Sequence, residues 1–273
     1  MCKFYYVTVA SGKEFILSYT QYSVKSLIKC GVNEINIHVV GNSESDLILL
    51  KNCLPYKINF YQIDEDLSVV KWKVYGGKRK YSFLKAVALY KIFGKPILDK
   101  YMIYFDGDVL WYKNPTSFFE SKCEKTWFHH GKSFKKRSKA GKRGLTSKDI
   151  NVSDFDSLSQ WCSIPQAHLM IKYGAKIVPE REVVAGLYLL HPRDHESVLK
   201  MTYEGCVENM DKFVDHEGAG DQKPMNAALS ILNTDWHGGS RFLCLEHVEY
   251  FDHFFGKKDL KEVFLRKVKE MGP

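Results

Sequence analysis

The chain has 273 residues, 45% hydrophobic and 14% aromatic, with 40 basic against 32 acidic residues and a formal net charge of +8. That is enough apolar material for a sizeable core and the opposite of the balance that keeps a chain disordered. No run approaches the roughly 20 apolar residues of a membrane span, while the basic excess leaves nucleic acid, an anionic membrane and a phosphorylated substrate open as partners.

The chain opens on the strand-like segment Phe4–Ala10, closed by Ser11-Gly12. It lacks a basic segment followed by an apolar core and a small-residue cleavage site, so no signal peptide is predicted and the expected location is cytoplasmic. A helix follows, with Ile16, Thr20, Val24, Leu27 and Ile28 on one face and Gly31 as its stop. A second strand is expected over residues 35–40. Ser43 or Ser45 then caps a short helix, and a third strand spans residues 56–61. Residues 81–93 read as a helix with Leu84, Val87, Ala88 and Ile92 inward, and residues 102–105 as a buried strand. Strands alternating with helices predict an α/β fold, a mainly parallel sheet flanked by helices.

Residues 131–160 are polar and basic with little periodicity and read as a long loop excursion. Strands are expected again over 167–173, 176–179 and 183–190. Helices are expected over 196–210 and 221–232, and a basic amphipathic helix within a C-terminal segment around 257–273. Neither an internal repeat nor a low-complexity tract breaks the chain, which reads as one domain over 1–273. The seven cysteines are odd in number, scattered and without a CxxC pair. That argues against a zinc site and a disulfide framework and for a reducing compartment. Asn151-Val152-Ser153 fits a glycosylation sequon and reads as chance in a chain without a secretion signal.

The segment Tyr101-Met102-Ile103-Tyr104-Phe105-Asp106-Gly107-Asp108-Val109-Leu110-Trp111 carries the most chemistry. An apolar strand delivers two carboxylates, two residues apart, at its C-terminal end, where ligands bind in open α/β sheets. Positions two apart point the same way on a strand, so Asp106 and Asp108 can approach one cation, and two hard oxygen ligands suit Mg²⁺ or Mn²⁺. The plain alternative is a pair of carboxylates capping a solvent turn. Another is a haloacid-dehalogenase-type phosphatase with Asp106 as nucleophile. That signature continues D-x-D-G-T and sits near the start of a chain, whereas here Val109-Leu110 follow and about a hundred residues precede.

Four segments, in order along nearly the whole chain, resemble the GT-A glycosyltransferases, in particular the glycogenin- and galactosyltransferase-like group. Val7-Thr8-Val9-Ala10-Ser11 and the helix to Gly31 are similar to that family's opening strand and first helix. Phe105-Asp106-Gly107-Asp108-Val109-Leu110 with Asn114-Pro115 is similar to its DxD motif. Val184-Ala185-Gly186-Leu187-Tyr188-Leu189-Leu190 and Asp221-Gln222 with Asn226 resemble its N(S/A)G strand and DQxxxN helix start. His253-Phe254-Phe255-Gly256-Lys257-Lys258 resembles its C-terminal H(F/Y)xGxxKPW segment. Val184 replaces the usual Asn, and the Lys-Pro-Trp ending is missing.

The resemblance implies a metal-dependent hexosyltransferase that moves a sugar from a nucleoside-diphosphate donor, typically UDP-linked, to a hydroxyl on a glycan, glycoconjugate or protein. Asp106 and Asp108, with Gly107 between them, would hold Mn²⁺ (or Mg²⁺) and through it the diphosphate, with His253 as third ligand. Gly256 and Lys257 would sit at the diphosphate, and Thr8, Ala10 and Ser11 would line the nucleotide. Asp221 and Gln222 would face the donor sugar or the acceptor.

Several residues keep two readings. Lys85, and Lys78-Arg79-Lys80 after Gly76-Gly77, would meet a diphosphate or lie on a solvated helix face. Asp221 would cap its helix or face the reaction, with Asp215 and Glu217 as alternative bases. His253 is a ligand or a satisfied interior histidine, and as a ligand it favours Mn²⁺ over Mg²⁺. His129-His130 read as structural. The basic residues 132–148 contain one aromatic, Phe134, too few for stacking on nucleic acid. They form a solvated loop or a mobile surface for an acceptor or an anionic membrane. A non-catalytic basic binding protein on the same fold is the third functional alternative.

Overall fold

The computed structural model describes residues 3–66, 78–95, 99–213, 220–240, 249–254 and 260–272. β1 (Phe4–Ala10) leads through α1 (Lys13–Phe15) and a π-helical stretch, Ile16–Thr20, into α2 (Gln21–Lys29). Then come β2 (Ile37–Gly41), α3 (Glu44–Cys53), β3 (Asn59–Gln62), α4 (Lys78–Phe93) and β4 (Tyr101–Phe105). The chain continues with β5 (Val109–Trp111), α5 (Thr116–Glu120), β6 (Thr126–Ser133), α6 (Phe134–Arg137), α7 (Lys139–Lys142), α8 (Phe155–Trp161) and α9 (Ile164–Lys172). Last are β7 (Arg181–Leu190), α10 (Pro192–Lys212), α11 (Gln222–Ile231), β8 (Trp236–Ser240), β9 (Phe251–His253) and α12 (Leu260–Glu270).

Seven strands form one sheet in the order β3-β2-β1-β4-β7-β6-β8, and β5 pairs with β9 in a second, two-stranded sheet. β3, β2, β1 and β4 run parallel. β7 alone runs against its neighbours β4 and β6, and β8 is parallel to β6. All seven residues of β1 are buried, the continuous pattern of a strand covered on both faces. Its alternate residues feed two cores. Phe4, Tyr6 and Ala10 join Ile103, Phe105 and Trp111 on one side. Tyr5, Val7 and Val9 join Met102, Tyr104 and residues of α4 on the other. Ser43 caps α3 by accepting a hydrogen bond from the Asp46 N–H.

The second half departs from the sequence expectation. Residues 167–173, expected as a strand, lie in α9 apart from Tyr173. Ser163 is the residue before that helix, Pro165 sits in its first turn, and Ala167, Leu169 and Met170 are buried. A short apolar run is ambiguous between strand and buried helix, and here the proline start signal decides it. Residues 176–179 form no strand. Residues 131–160, expected as loop, extend β6 and then carry α6, α7 and α8. Phe134, Ala140, Ile150, Leu158 and Trp161 anchor them in a core shared with α9 and α11. These anchors are too far apart in sequence to show a period. No helix among the described residues is long and apolar enough to cross a membrane.

β2 contains a buried histidine. His38 is 7% exposed, stacks on Tyr61, and lies edge-on to Phe93 and Tyr5. Burial, helped by the charge of Lys100, pulls its imidazole down to about 4. The unfolded chain takes up this proton near pH 6.5 and the native state resists until about pH 4, so native stability falls as pH drops through that window. Denaturant unfolding at pH 7 and pH 4 should show wild type losing up to about 3 kcal/mol relative to His38→Gln. A difference that stays constant with pH would contradict a neutral buried His38.

Candidate functional site

The chain lays β2 and β3 on one side of β1 and then returns to place β4 on the other. A parallel sheet opens a crevice where its strand order reverses in this way, at the strands' carboxyl ends. Asp106 is the first residue past β4. Its N–H donates to Gly186 O at 2.7 Å and its carbonyl accepts from Val109 N at 3.2 Å, which turns the chain at Gly107 into β5. β5 pairs antiparallel with β9, Val109 opposite His253, and Phe254 N donates to Asp108 O at 3.1 Å. This ladder carries His253 to the aspartates. His253 Nε2 is 3.3 Å from Asp108 Oδ1 and 3.9 Å from Asp106 Oδ2. One ligand atom from each of the three residues lies within 4.8 Å of the others.

Two glycines make this approach possible. A Cβ on Gly186 would lie 2.1 Å from His253 Cε1 and 2.9 Å from Asp106 Oδ2. One on Gly107 would lie 2.6 Å from Thr20 Oγ1 and 2.8 Å from Phe15 Cε1. The π-helical turn that includes Thr20 therefore packs directly on the loop between the aspartates, and such turns recur at functional sites.

β7 is irregular at the same place. Phe128 pairs with Tyr188 but His130 with Val184, so two steps along β6 match four along β7. The bulge leaves the Ala185 carbonyl off the β6 ladder, and it accepts from Lys85 Nζ at 2.8 Å, while Gly186 O extends the β4 ladder by accepting from Asp106 N. Lys85 Nζ is also 2.7 Å from Asp221 Oδ2 and 3.5 Å from Asp106 Oδ1, and it lies over the Tyr104 ring at 5.0 Å. Tyr104 Oη donates to Asp106 Oδ1 at 2.6 Å.

Among the described residues the site gathers three carboxylates, Asp106, Asp108 and Asp221, and Lys85 pairs with two of them, Asp106 and Asp221. Burial pushes the Asp106 carboxyl up, and neighbouring Asp108 adds to it. Lys85, His253 and the Tyr104 hydrogen bond counter this only in part. Burial would lower His253, but the charge of Asp108, its hydrogen bond and the charge of Asp106 outweigh it, so the imidazole is raised. Lys85 is raised in the same way, burial being overcome by Asp106 and Asp221. A histidine that gains a proton beside two aspartates sits where a divalent cation would be stabilised, and a bound cation takes the proton's place. The donor set of two carboxylates and an imidazole, seated on glycines, fits such an ion.

Of the residues singled out in the sequence, Asp106, Asp108, His253, Lys85 and Asp221 are brought together here. The Asp221 side chain makes no helix-capping hydrogen bond and pairs with Lys85. Lys85 is buried, so it does not lie on a solvated helix face. Thr8 and Ala10 have no accessible surface, which leaves Ser11 and Gly12 to present that edge of the crevice. His129 is buried against Phe251. Gly256, Lys257, Asp215 and Glu217 lie outside the described residues.

Sequence reasoning missed Tyr104, Tyr81, Gly186 as a spacing residue, and Glu182. The Tyr81 hydroxyl donates to Val9 O at 2.5 Å, and burial together with Asp106 raises it well above its usual value. Tyr104 was detectable in principle, being two residues before Asp106 on the same strand. The partners of Glu182 come from other elements and left no local signal.

Neither a protein-family model nor a curated protein matches the chain. Two solved structures of the galactosyltransferase LgtC do match in shape. An active-site mutant superposes with a TM-score of 0.55 at 16% identity, over 98% of this chain and 96% of that one. A complex with donor and acceptor sugar analogs superposes with a TM-score of 0.54 at 15% identity, over the same shares. The chain has the GT-A fold. In this GT-A fold the Asp106-Gly107-Asp108 turn follows the fourth strand of the sheet, unlike the phosphatase alternative, whose D-x-D lies near the start of its chain.

Lys85→Met should leave the Asp106 and Asp221 carboxylates buried without their cation. Breaking a buried pair from one side costs about 3–5 kcal/mol, measurable by denaturant unfolding, and adding Asp221→Asn should recover part of it. Wild-type stability in Lys85→Met would show that the lysine does not hold the carboxylates.

Proposed function

We propose that this protein is a glycosyltransferase that takes a nucleoside-diphosphate sugar, most simply UDP-linked, and transfers its sugar to a hydroxyl acceptor with Mn²⁺ or Mg²⁺. The observation that carries the reading is the juxtaposition of the Asp106–Asp108–His253 cluster with the Lys85 ammonium, at the crevice of a GT-A sheet. Three carboxylates alone would repel a diphosphate. A cluster that takes a divalent cation, with a lysine beside it, attracts one. The likeness to LgtC, solved with donor and acceptor sugar analogs, supports a sugar donor and a glycan-type acceptor.

The chemistry needs charge stabilisation on the departing phosphate. A divalent ion supplies Lewis-acid stabilisation there without moving a proton. In this reading Asp106, Asp108 and His253 are the ligands, and Gly186 and Gly107 set their distance. Lys85, fixed by Asp221 and Ala185 O, keeps a positive charge close to the leaving group. Tyr104 orients Asp106 through Oδ1, which leaves Oδ2 toward His253. Ser11 and Gly12, at the exposed end of β1, offer the edge for the nucleotide. Gln222, partly exposed at the start of α11, faces the sugar or acceptor. Gly256 and Lys257, which follow β9 in sequence, would sit at the diphosphate by the family likeness. The exposed basic residues of 132–148 would meet an acceptor or an anionic membrane surface.

A thermal-shift screen of nucleoside diphosphates and nucleotide sugars, with and without Mn²⁺, tests the reading. A ligand at a hundred times its dissociation constant should stabilise by about 2.7 kcal/mol, and only when metal is present. Asp108→Asn should abolish the metal-dependent part. His253→Ala should weaken Mn²⁺ more than Mg²⁺, because imidazole suits Mn²⁺ better. If no nucleotide gives a metal-dependent shift, the chain is a binding protein on a transferase fold and the proposal fails.

A further inference from the structure

Glu182, near the start of β7, is a buried carboxylate that the transfer reading leaves without a role. Its side chain is 4% exposed and takes three donors from two separate elements, α6 and α11. Gln222 Nε2 donates to Oε1 at 3.0 Å, Lys223 Nζ reaches the same oxygen, and Arg137 Nη1 reaches Oε2 at 3.0 Å. Arg137 belongs to the basic segment after β6, and Gln222 begins α11, next to the Asp221 that holds Lys85.

A side-chain amide has a donor end and an acceptor end, and a carboxylate can only accept. Glu182 therefore selects the NH₂ end of Gln222 and directs its carbonyl oxygen the other way. Flipping the amide would set that oxygen against a carboxylate with almost no water to screen them. We propose that Glu182 is a positioning residue that fixes the Gln222 amide with its carbonyl toward the reacting sugar, and that Arg137 and Lys223 supply the charge that keeps Glu182 ionised in a buried place. The inference rests on the transferase reading. It also gives part of the basic segment a defined role, since Arg137 neutralises a carboxylate one contact away from the reaction.

The test uses whichever nucleotide sugar gives the largest Mn²⁺-dependent thermal shift, and measures its turnover. Glu182→Gln removes the charge and lets either amide end face Gln222. It should lower kcat about tenfold or more, the size of one charged hydrogen bond, while KM for the donor and the nucleotide-induced thermal shift stay near wild type. The double variant Glu182→Gln/Gln222→Ala should be no slower than Gln222→Ala alone, because Glu182 acts through Gln222. Arg137→Ala keeps the Glu182–Gln222 bond and should cost clearly less than Glu182→Gln.

Additive losses in the double variant would overturn the inference, as would an unchanged kcat in Glu182→Gln. So would an Arg137→Ala loss equal to that of Glu182→Gln, which would mark the cluster as a structural clamp. If Glu182→Gln does not fold, Gln222→Glu sets carboxylate against carboxylate and should show the same kcat loss. The Gln222 side-chain NH₂ resonance of the wild-type protein reads the bond directly, and an NH₂ that exchanges as if solvated would overturn the assignment. If no nucleotide sugar shifts or turns over at all, the transferase reading falls and takes this inference with it. Turnover with additive losses overturns the inference alone.

Discussion

An ammonium with only 6% of its side chain exposed has to be met by oxygen at close range, and the placing of several segments follows from how Lys85 is met. Desolvating a lysine costs several kcal/mol unless the group is paired and hydrogen-bonded. Here the compensation comes from three directions: Asp221 at the start of α11, Asp106 at the end of β4, and Ala185 O from the bulge in β7. None of these is local to α4. The helix, the sheet and the bulge are consequently tied together by one charge, and each is held where the crevice needs it. The Tyr104 ring, 5.0 Å from Nζ, adds a face of negative potential on another side.

The bulge explains why a strand of nearly uniform burial is chemically active. A regular β7 would spend all its carbonyls on β4 and β6. The two unmatched residues, on the β6 side, free the carbonyl of Ala185 for Lys85, while Gly186 O stays in the β4 register and accepts from Asp106 N; Gly186 also removes the side chain that would otherwise occupy the space of His253 and Asp106. The sequence shows Gly186 as one glycine in an apolar run. Only the register reveals that it is the residue where two chain segments and a histidine meet.

Much of the fold could be read locally. β1, β2, β4, α4, α10 and α11 each have a clear apolar period or a clear boundary, and the two aspartates stand out because an apolar strand presents them. The failures have a common cause. β5, β6, β8 and β9 carry no distinct signal in the sequence, and β5 and β9 are only three residues each, below the length at which alternation carries information. α9 reads as a strand because its short run Leu169-Met170-Ile171, with Ala167 before it, suits a buried strand as well as a buried helix. His253 stands out in the sequence only through the family likeness and not by its own surroundings, since the ladder that delivers it pairs residues far apart along the chain. Glu182 and Tyr104 act through partners that only tertiary structure supplies.

The position of His253 has one more dependence. β9 is followed by Phe254, whose ring packs on Phe264 of α12 at 5.3 Å, and Phe264 packs in turn on Tyr19 at 5.1 Å. Tyr19 belongs to the π-helical stretch whose Thr20 presses on Gly107 between the aspartates. The carboxyl-terminal helix and the turn carrying Asp106 and Asp108 are thus linked through one continuous apolar contact, with the histidine beside it. A cation held by all three ligands would gain only if β9 is docked. By linkage, its binding free energy also holds β9 and α12 in place. The docking of β9 and α12 on the body of the protein therefore sets the distance from His253 to the two aspartates, and this brings a residue so far along the chain beside the other two.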